Sequence, residues 1–411
     1  RPVFVHGTLT GERIVFEYTE VRRDFAEGRL LQVLSPSDDR VEAKCAHYGI
    51  CGGCSFQHVR DEQQIRFKQS LLLEQFSRIG KVEDFEVFEP LVGPSWGYRQ
   101  KARLGVKYVA KKGKVLVGFR ERASAFVADI EVCPVLDPRV GTRLTAIAEF
   151  IHSLSIRDRV PQIEVAASDE KVALVFRILE DLTSEDQGLF IAFARAENYE
   201  VLLQRGGPDS VVPLVEGAIT ELHYSVSASK IDFVFKPTDF TQVNGAINQK
   251  MIARVLELIA PDPEDVILDL FCGIGNFTLP LARQAARVVG VEGSSEAVER
   301  ARENAMRNAI ENAEFHVADL SKPVEGQSWA QASYDKILLD PSRAGALEVL
   351  DRIPVWKPNR IVYVSCNPST LARDVGVLVH EHGYQLLGAG VMDMFPQTAH
   401  VESLAILQRT P

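Results

Sequence analysis

Apolar and polar residues follow different rhythms along this chain, and each rhythm predicts a different architecture. Residues 1 to about 42 read as short strands. Apolar positions fall at every second residue at Ile14, Phe16 and Tyr18 and again at Leu31 and Val33, with turn residues between. From Asp61 the spacing becomes helical (Ile65, Phe67, Leu71, Leu72, Phe76, Ile79), and Gly80 ends it. Over 96–235, strand-like runs at 101–109, 115–119, 162–166, 172–178 and 201–203 surround one helix near 139–154, which predicts a mixed or antiparallel domain. From Asn244 onward, helices alternate with short continuous apolar runs at 266–270, 288–291, 314–317, 336–339 and 361–364. This alternation predicts an α/β sheet with helices on both faces.

A chain of 411 residues divides into two or three domains. The rhythms place a small β-barrel at 1–42 with its opening strand missing, a mixed central domain at 43–236 and a Rossmann-like α/β domain at 237–411. The start, Arg1-Pro2-Val3, carries neither a methionine nor a secretion signal and reads as a trimmed end. No stretch reaches the ~18 apolar residues of a membrane helix. Six cysteines without a disulfide framework fit a reducing cytoplasm.

The net charge of -10, read alone, speaks against a nucleic-acid partner, but the local picture differs. Between Trp96 and Arg122 lie nine basic residues and one acid, interleaved with Tyr98, Tyr108 and Phe119. Basic side chains follow phosphates and aromatic rings stack on bases. The plainer alternative is a solvated hairpin around Lys111-Lys112-Gly113-Lys114.

Cys45, Cys51 and Cys54 crowd one Gly-rich loop, and Cys133, followed by Pro134, is a candidate fourth thiol. Structural zinc ordinarily shows two Cys-x2-Cys pairs. One pair, one outlying thiol and one distant Cys-Pro favour an iron–sulfur cluster over zinc or no metal.

Asp269 ends a strand, and Phe271-Cys272-Gly273-Ile274-Gly275-Asn276 turns into a helix, where backbone N–H groups can approach a ligand. Glu292 ends the next strand, 23 residues on, placed for ribose hydroxyls, and Asp319 after the third strand is placed for an adenine amine. A nicotinamide site would prefer G-x-G-x-x-G. The turn and the two acids point instead to S-adenosylmethionine.

Asp340-Pro341-Ser342-Arg343 follows another strand and lacks the aromatic residue of amino-methyltransferase motifs. A cysteine on a strand is ordinarily inert packing. Cys366 departs from that default because it closes a strand, the Asn367-Pro368 turn exposes it, and the cofactor turn is adjacent. Cys272 is the rival thiol, with a packing role in the turn. His400 and Glu402 are candidates for proton transfer, against the alternative of a solvated strand edge. A thiol, a methyl donor and a base match uracil C5 chemistry, in which a thiolate adds at C6 to make C5 nucleophilic.

These residues carry a family resemblance. Cys45-Ala-His-Tyr-Gly-Ile-Cys51-Gly-Gly-Cys54, Trp96-Gly-Tyr-Arg99, Phe240-Thr-Gln242-Val-Asn244, Asp269-Leu-Phe-Cys-Gly, Ser365-Cys366-Asn-Pro and Phe395-Pro-x-Thr-x-His-x-Glu402 are together similar to the RNA uracil-C5 methyltransferases. Within them the chain resembles the iron–sulfur enzymes acting on 23S ribosomal RNA. The resemblance implies Cys366 as nucleophile and Glu402 as base. It implies Gln242, Phe271, Asn276, Glu292, Asp319 and Asp340 around S-adenosylmethionine, with Asp340 also near the uracil. Arg103 and Phe240 would meet the RNA, and Cys45, Cys51, Cys54 and Cys133 would bind a [4Fe-4S] cluster. Residues 1–42 resemble the later strands of a TRAM domain, an OB-like RNA-binding barrel. Barrel and cluster together favour ribosomal over transfer RNA. Ser342 departs from the commoner Asp-Pro-Pro-Arg. A monomer is expected, and the alternatives are the same chemistry on transfer RNA or a non-catalytic RNA-binding module.

Overall fold

The computed structural model describes residues 1–218 and 221–410. Strands Val3–Val5, Arg13–Val21 and Ala26–Ser35 form an open three-stranded sheet with the last in the middle, where the small barrel was expected.

The central domain carries a six-stranded sheet in the order Val211–Pro213, Tyr199–Gln204, Val172–Arg177, Gln162–Ala167, Lys101–Val109, Lys114–Gly118. All pairs are antiparallel except Val172–Arg177 with Tyr199–Gln204. A parallel pair needs a crossover, and the helix Ser184–Glu197 supplies it. Sequence reading missed this helix because little of it is buried. Its local signal was the capping box, in which Thr183 accepts from the Asp186 N–H at 3.1 Å. The helix expected over 139–154 is broken into Pro138–Gly141 and Leu144–Ser153.

The C-terminal domain is built on an eight-stranded sheet in the order Ala313–Val317, Arg287–Glu292, Val266–Leu270, Lys336–Leu339, Arg360–Ser365, Glu402–Arg409, Tyr384–Met392, Glu86–Val87. The first five are parallel and are the five the sequence predicts, within a residue at each end. Strand order reverses between Val266–Leu270 and Lys336–Leu339, and ligands of such sheets bind beyond the carboxyl ends at that point. The sequence reading did not foresee Tyr384–Met392 and Glu402–Arg409, which add antiparallel to the far side.

Helix Asp61–Gln75 and strand Glu86–Val87 pack on this last sheet although they precede the central domain in sequence. The helix runs into a wider turn, Phe76–Gly80, ended by Lys81 in the left-handed region at φ 53°. Gly80 and Gly376 set the approach to helix Pro368–His380. A Cβ on Gly80 would lie 2.7 Å from the Ala372 carbonyl oxygen, and one on Gly376 would lie 2.9 Å from that of Gly80.

Candidate active site

The glycine turn after Val266–Leu270 is shaped by left-handed backbone at Phe271 (φ 68°), Gly273 (φ 54°) and Gly275 (φ 90°). The two glycines adopt it without strain; Phe271 does not, and strain of this kind gathers at ligand sites. The Glu292 carboxylate accepts hydrogen bonds from the backbone N–H of Gly273 (3.1 Å) and Ser294 (3.0 Å), tying the turn to the next strand end. Asp269 is fully buried beneath the turn. Thr278 donates to one carboxylate oxygen at 2.5 Å, and the other, Oδ1, is buried without a partner. Burial pushes the Asp269 carboxyl up to about 7. Asn276 accepts from the Tyr224 hydroxyl (2.9 Å) and the Asn248 amide (3.2 Å). Asn248 and Gln242 line a cleft of about 490 Å³ that also takes in Trp96 and Tyr98. Asp319 is exposed, accepts from Ser321 and pairs with Lys322 at 2.8 Å, which holds its carboxyl down at about 2.

Cys366 lies one residue beyond strand Arg360–Ser365. Asn367 caps the next helix by accepting from the Ser369 N–H at 3.1 Å, and Pro368 opens the first turn. The Asn367 side chain donates to the Arg343 carbonyl at 3.0 Å, which fixes the loop after Asp340 beside the thiol. Ser365 pairs with Ser403 in antiparallel register, and Cys366 and Glu402 each lie one residue beyond this last pair. Burial raises the partly buried thiol of Cys366; Glu402 and Asp340 add to this and Arg343 opposes it. Burial pushes Glu402 up to about 7 against the pull of Arg343 and Lys68. Asp340 stands well above the ordinary carboxylate range through burial and through repulsion from Glu402, Asp269 and Glu292. His400 is exposed, with Nδ1 3.5 Å from Arg343, so of the two proton-transfer candidates only Glu402 is enclosed beside the thiol. Cys272 is core packing, only 4% exposed.

Asp269, Glu292 and Asp340 thus lie at or just beyond the carboxyl ends of three neighbouring parallel strands, Glu402 opens the antiparallel strand beyond Arg360–Ser365, and the four carboxyls repel one another. Such an arrangement is relieved by a cation. Asp269 Oδ1 is an acceptor in this cluster without a partner among the described residues.

A family model described as tRNA (uracil-5-)-methyltransferase matches residues 60–410. The chain is 58% identical over 409 residues to a 23S rRNA (uracil(1939)-C(5))-methyltransferase of Methylococcus capsulatus, covering 100% of this chain and 92% of the relative. This chain belongs to the RNA uracil-C5 methyltransferases. A second relative in that family, from Alkalilimnicola ehrlichii and named for the same activity, is 53% identical with the same coverage. The crystal structure of the Pyrococcus abyssi tRNA (uracil-54, C5)-methyltransferase with S-adenosyl-L-homocysteine superposes with a TM-score of 0.76 at 25% identity. It covers 98% of this chain and 95% of that one.

In this uracil-C5 methyltransferase the four predicted cysteines share the lining of one cavity. Cys45, Cys51, Cys54 and Cys133 line one small, mainly apolar cavity with Tyr48, Gln57 and Phe119. Burial pushes Cys54 up to about 12 and Cys133 to about 11, and raises Cys51. Four free cysteines in one cavity lining suit a soft metal centre by donor chemistry. Among the described residues no group of three or more His, Cys, Asp or Glu is drawn together as a metal-binding set.

The predicted RNA-facing residues are exposed. Arg103 is exposed and pairs with Glu164 of the neighbouring strand at 2.8 Å, and Phe240 is 75% exposed. Lys112 and Lys114 share Asp129, at 3.5 and 2.7 Å. Lys101 is instead drawn inward, donating to the Pro237 and Asp239 carbonyls at 2.6 and 2.8 Å. Sequence reading also missed Lys68, Gln64, Asp393 and Gln397, which support the Glu402 segment. Their signal was the spacing Asp61, Gln64, Lys68, three polar residues along one helical face.

Proposed function

We propose that this protein methylates C5 of a uridine in 23S ribosomal RNA, at the position for which its relatives are named, giving 5-methyluridine. The observation that carries the reading is that Cys366 and Glu402 each lie one residue beyond the paired Ser365 and Ser403, with the Asp340 carboxyl acting on both. The target base is flipped out of the RNA to reach this site. Cys366, as the thiolate, adds to C6 of the uracil, and the ring electrons move to the C4 oxygen as an enolate. C5 is now nucleophilic. S-adenosylmethionine supplies an electrophilic methyl carbon when bound, and Gln242, Phe271, Asn276, Glu292, Asp319 and Asp340 would hold it. Glu402 then takes the proton from C5, the C5–C6 double bond re-forms, and the Cys366 sulfur leaves.

Relatives at 58% and 53% identity are named for 23S RNA, whereas the solved structure named for transfer RNA is 25% identical; this gap supports the ribosomal target. Cys45, Cys51, Cys54 and Cys133 would hold a [4Fe-4S] cluster with a structural or RNA-positioning role. Residues 1–42 would act as the RNA-binding TRAM module, and Arg103 and Phe240 would contact RNA near the flipped base. No helix of the described residues is long and apolar enough to cross a membrane, and the reading has the protein act in the cytoplasm as a monomer.

Tritium release from 5-tritiated uracil separates the targets. Release is expected with 23S RNA and not with transfer RNA. Preference for transfer RNA would overturn the ribosomal target, and no release from either would overturn the reaction.

A further inference from the structure

Helix Asp61–Gln75 buries a charge that its packing does not require. Lys68 is 2% exposed, yet it lies on the face turned to the sheet. Its Nζ donates to Asp393 Oδ1 at 2.7 Å and to the Phe395 carbonyl at 3.0 Å. One turn earlier, Gln64 donates to Gln397 Oε1 (3.1 Å) and accepts from the Gln397 backbone N–H (2.9 Å), and Asp61 accepts from the Gln397 amide at 2.9 Å. Asp61, Gln64 and Lys68 thus grip residues 393–397 from one helical face. The opposite side is held as well. The backbone N–H groups of Ser55 and Phe56 donate to the Gln397 carbonyl at 2.9 and 3.0 Å, and the Tyr98 hydroxyl donates to that of Pro396 at 2.9 Å. Gln397 itself sits at φ 67°, a conformation the surroundings must enforce.

This segment links strand Tyr384–Met392 to strand Glu402–Arg409, and Glu402 is its first residue on the far side. An apolar side chain would fasten the helix to the sheet without the desolvation of an ammonium, so stability alone does not account for Lys68. We propose that Lys68 is a positioning residue for proton removal: through Asp393 and the Phe395 carbonyl it fixes the 393–400 segment, and so holds Glu402 beside Cys366. Lys68 touches neither the thiol nor Glu402 directly. The inference rests on the function proposed above, because it assigns a step of that reaction to the Glu402 segment.

The test separates methyl transfer from elimination. Lys68→Met and the double variant Lys68→Met/Asp393→Asn are each mixed with 23S RNA and S-adenosylmethionine and compared with wild type. The double variant leaves no buried charge unpaired if the single one fails to fold. Affinity for S-adenosylmethionine is expected to stay unchanged. The elimination rate is expected to fall roughly ten- to a hundredfold, since small misplacements of a reacting group cost that much. The denaturant-stable protein–RNA adduct should rise accordingly. The groups facing Glu402 are Arg343 from the loop after Asp340, Asp340 itself, Cys366 and Lys68. Removing the Lys68 charge leaves Arg343 as the cation, so the rising limb of the pH–rate profile should move to higher pH. A folded double variant with the wild-type share of adduct and an unmoved limb overturns the proposal. So does a loss in which adduct and product fall together, the mark of a folding or binding defect. Failure of wild type to methylate RNA would instead sink the proposed function.

Discussion

Cys366 and Glu402 each lie one step beyond the paired Ser365 and Ser403 of an antiparallel strand pair, close enough for the Glu402 charge to act on the thiol. The reaction needs a thiol at C6 and a base at the adjacent C5, and this pairing brings the two groups to one ring.

Cys366→Ala should abolish methylation, by about a thousandfold or more as for other covalent nucleophiles. Affinity for S-adenosylmethionine should stay as in wild type, because the glycine turn and Glu292 are untouched. Isothermal titration with a single-turnover assay checks both. Turnover near the wild-type rate would reject Cys366 as nucleophile.

Glu402→Gln should complete methyl transfer and then stall. A protein–RNA band that survives denaturant, with the methyl label in it, is the expected result on a gel. Normal product with no trapped band would contradict the role of Glu402.

The rate of proton removal should rise with pH up to about 7 and then level. Burial raises the Glu402 carboxyl to about 7, and only its ionised form accepts a proton, so the base is lost as pH falls below that value. Each pH unit below should cost about tenfold in rate, as for any single ionisation. A flat profile of the elimination step between about pH 6 and pH 8 would show that Glu402 is not the group observed.

Protein purified without oxygen should be brown and carry about four irons and four sulfides per chain, as a cubane cluster requires. Cys133→Ser should lower the iron content and the visible absorbance. One zinc per chain with no colour would replace the cluster with a zinc site.

Replacing Lys111, Lys112 and Lys114 with Ala should weaken RNA binding and flatten its salt dependence. The slope of log affinity against log salt should fall by roughly 0.7 to 0.9 for each lysine that meets a phosphate. Lys112 and Lys114 must give up Asp129 to do so, which limits the change. Affinity for S-adenosylmethionine should not change. An unchanged salt slope would mark this hairpin as a solvated surface.

The five parallel strands, the glycine turn after Asp269 and the strand-end place of Cys366 were legible in the sequence. A buried parallel strand is a continuous apolar run, and a turn that must take positive φ shows its glycines, so both signals are local. The two antiparallel strands and the crossover helix Ser184–Glu197 were not read, because their identity depends on what they pack against. The same holds for chemistry. Sequence marked Glu402 as a candidate beside His400, but the segment alone favoured a solvated edge for both. Only the pairing of Glu402–Arg409 with Arg360–Ser365 encloses it beside the thiol and leaves His400 outside. Lys68 read as one more helix residue, and its partner Asp393 lies 325 positions away. Contacts across such separations follow from how helix and sheet dock, and the one-dimensional pattern carries the propensity of each segment but not its neighbours in space.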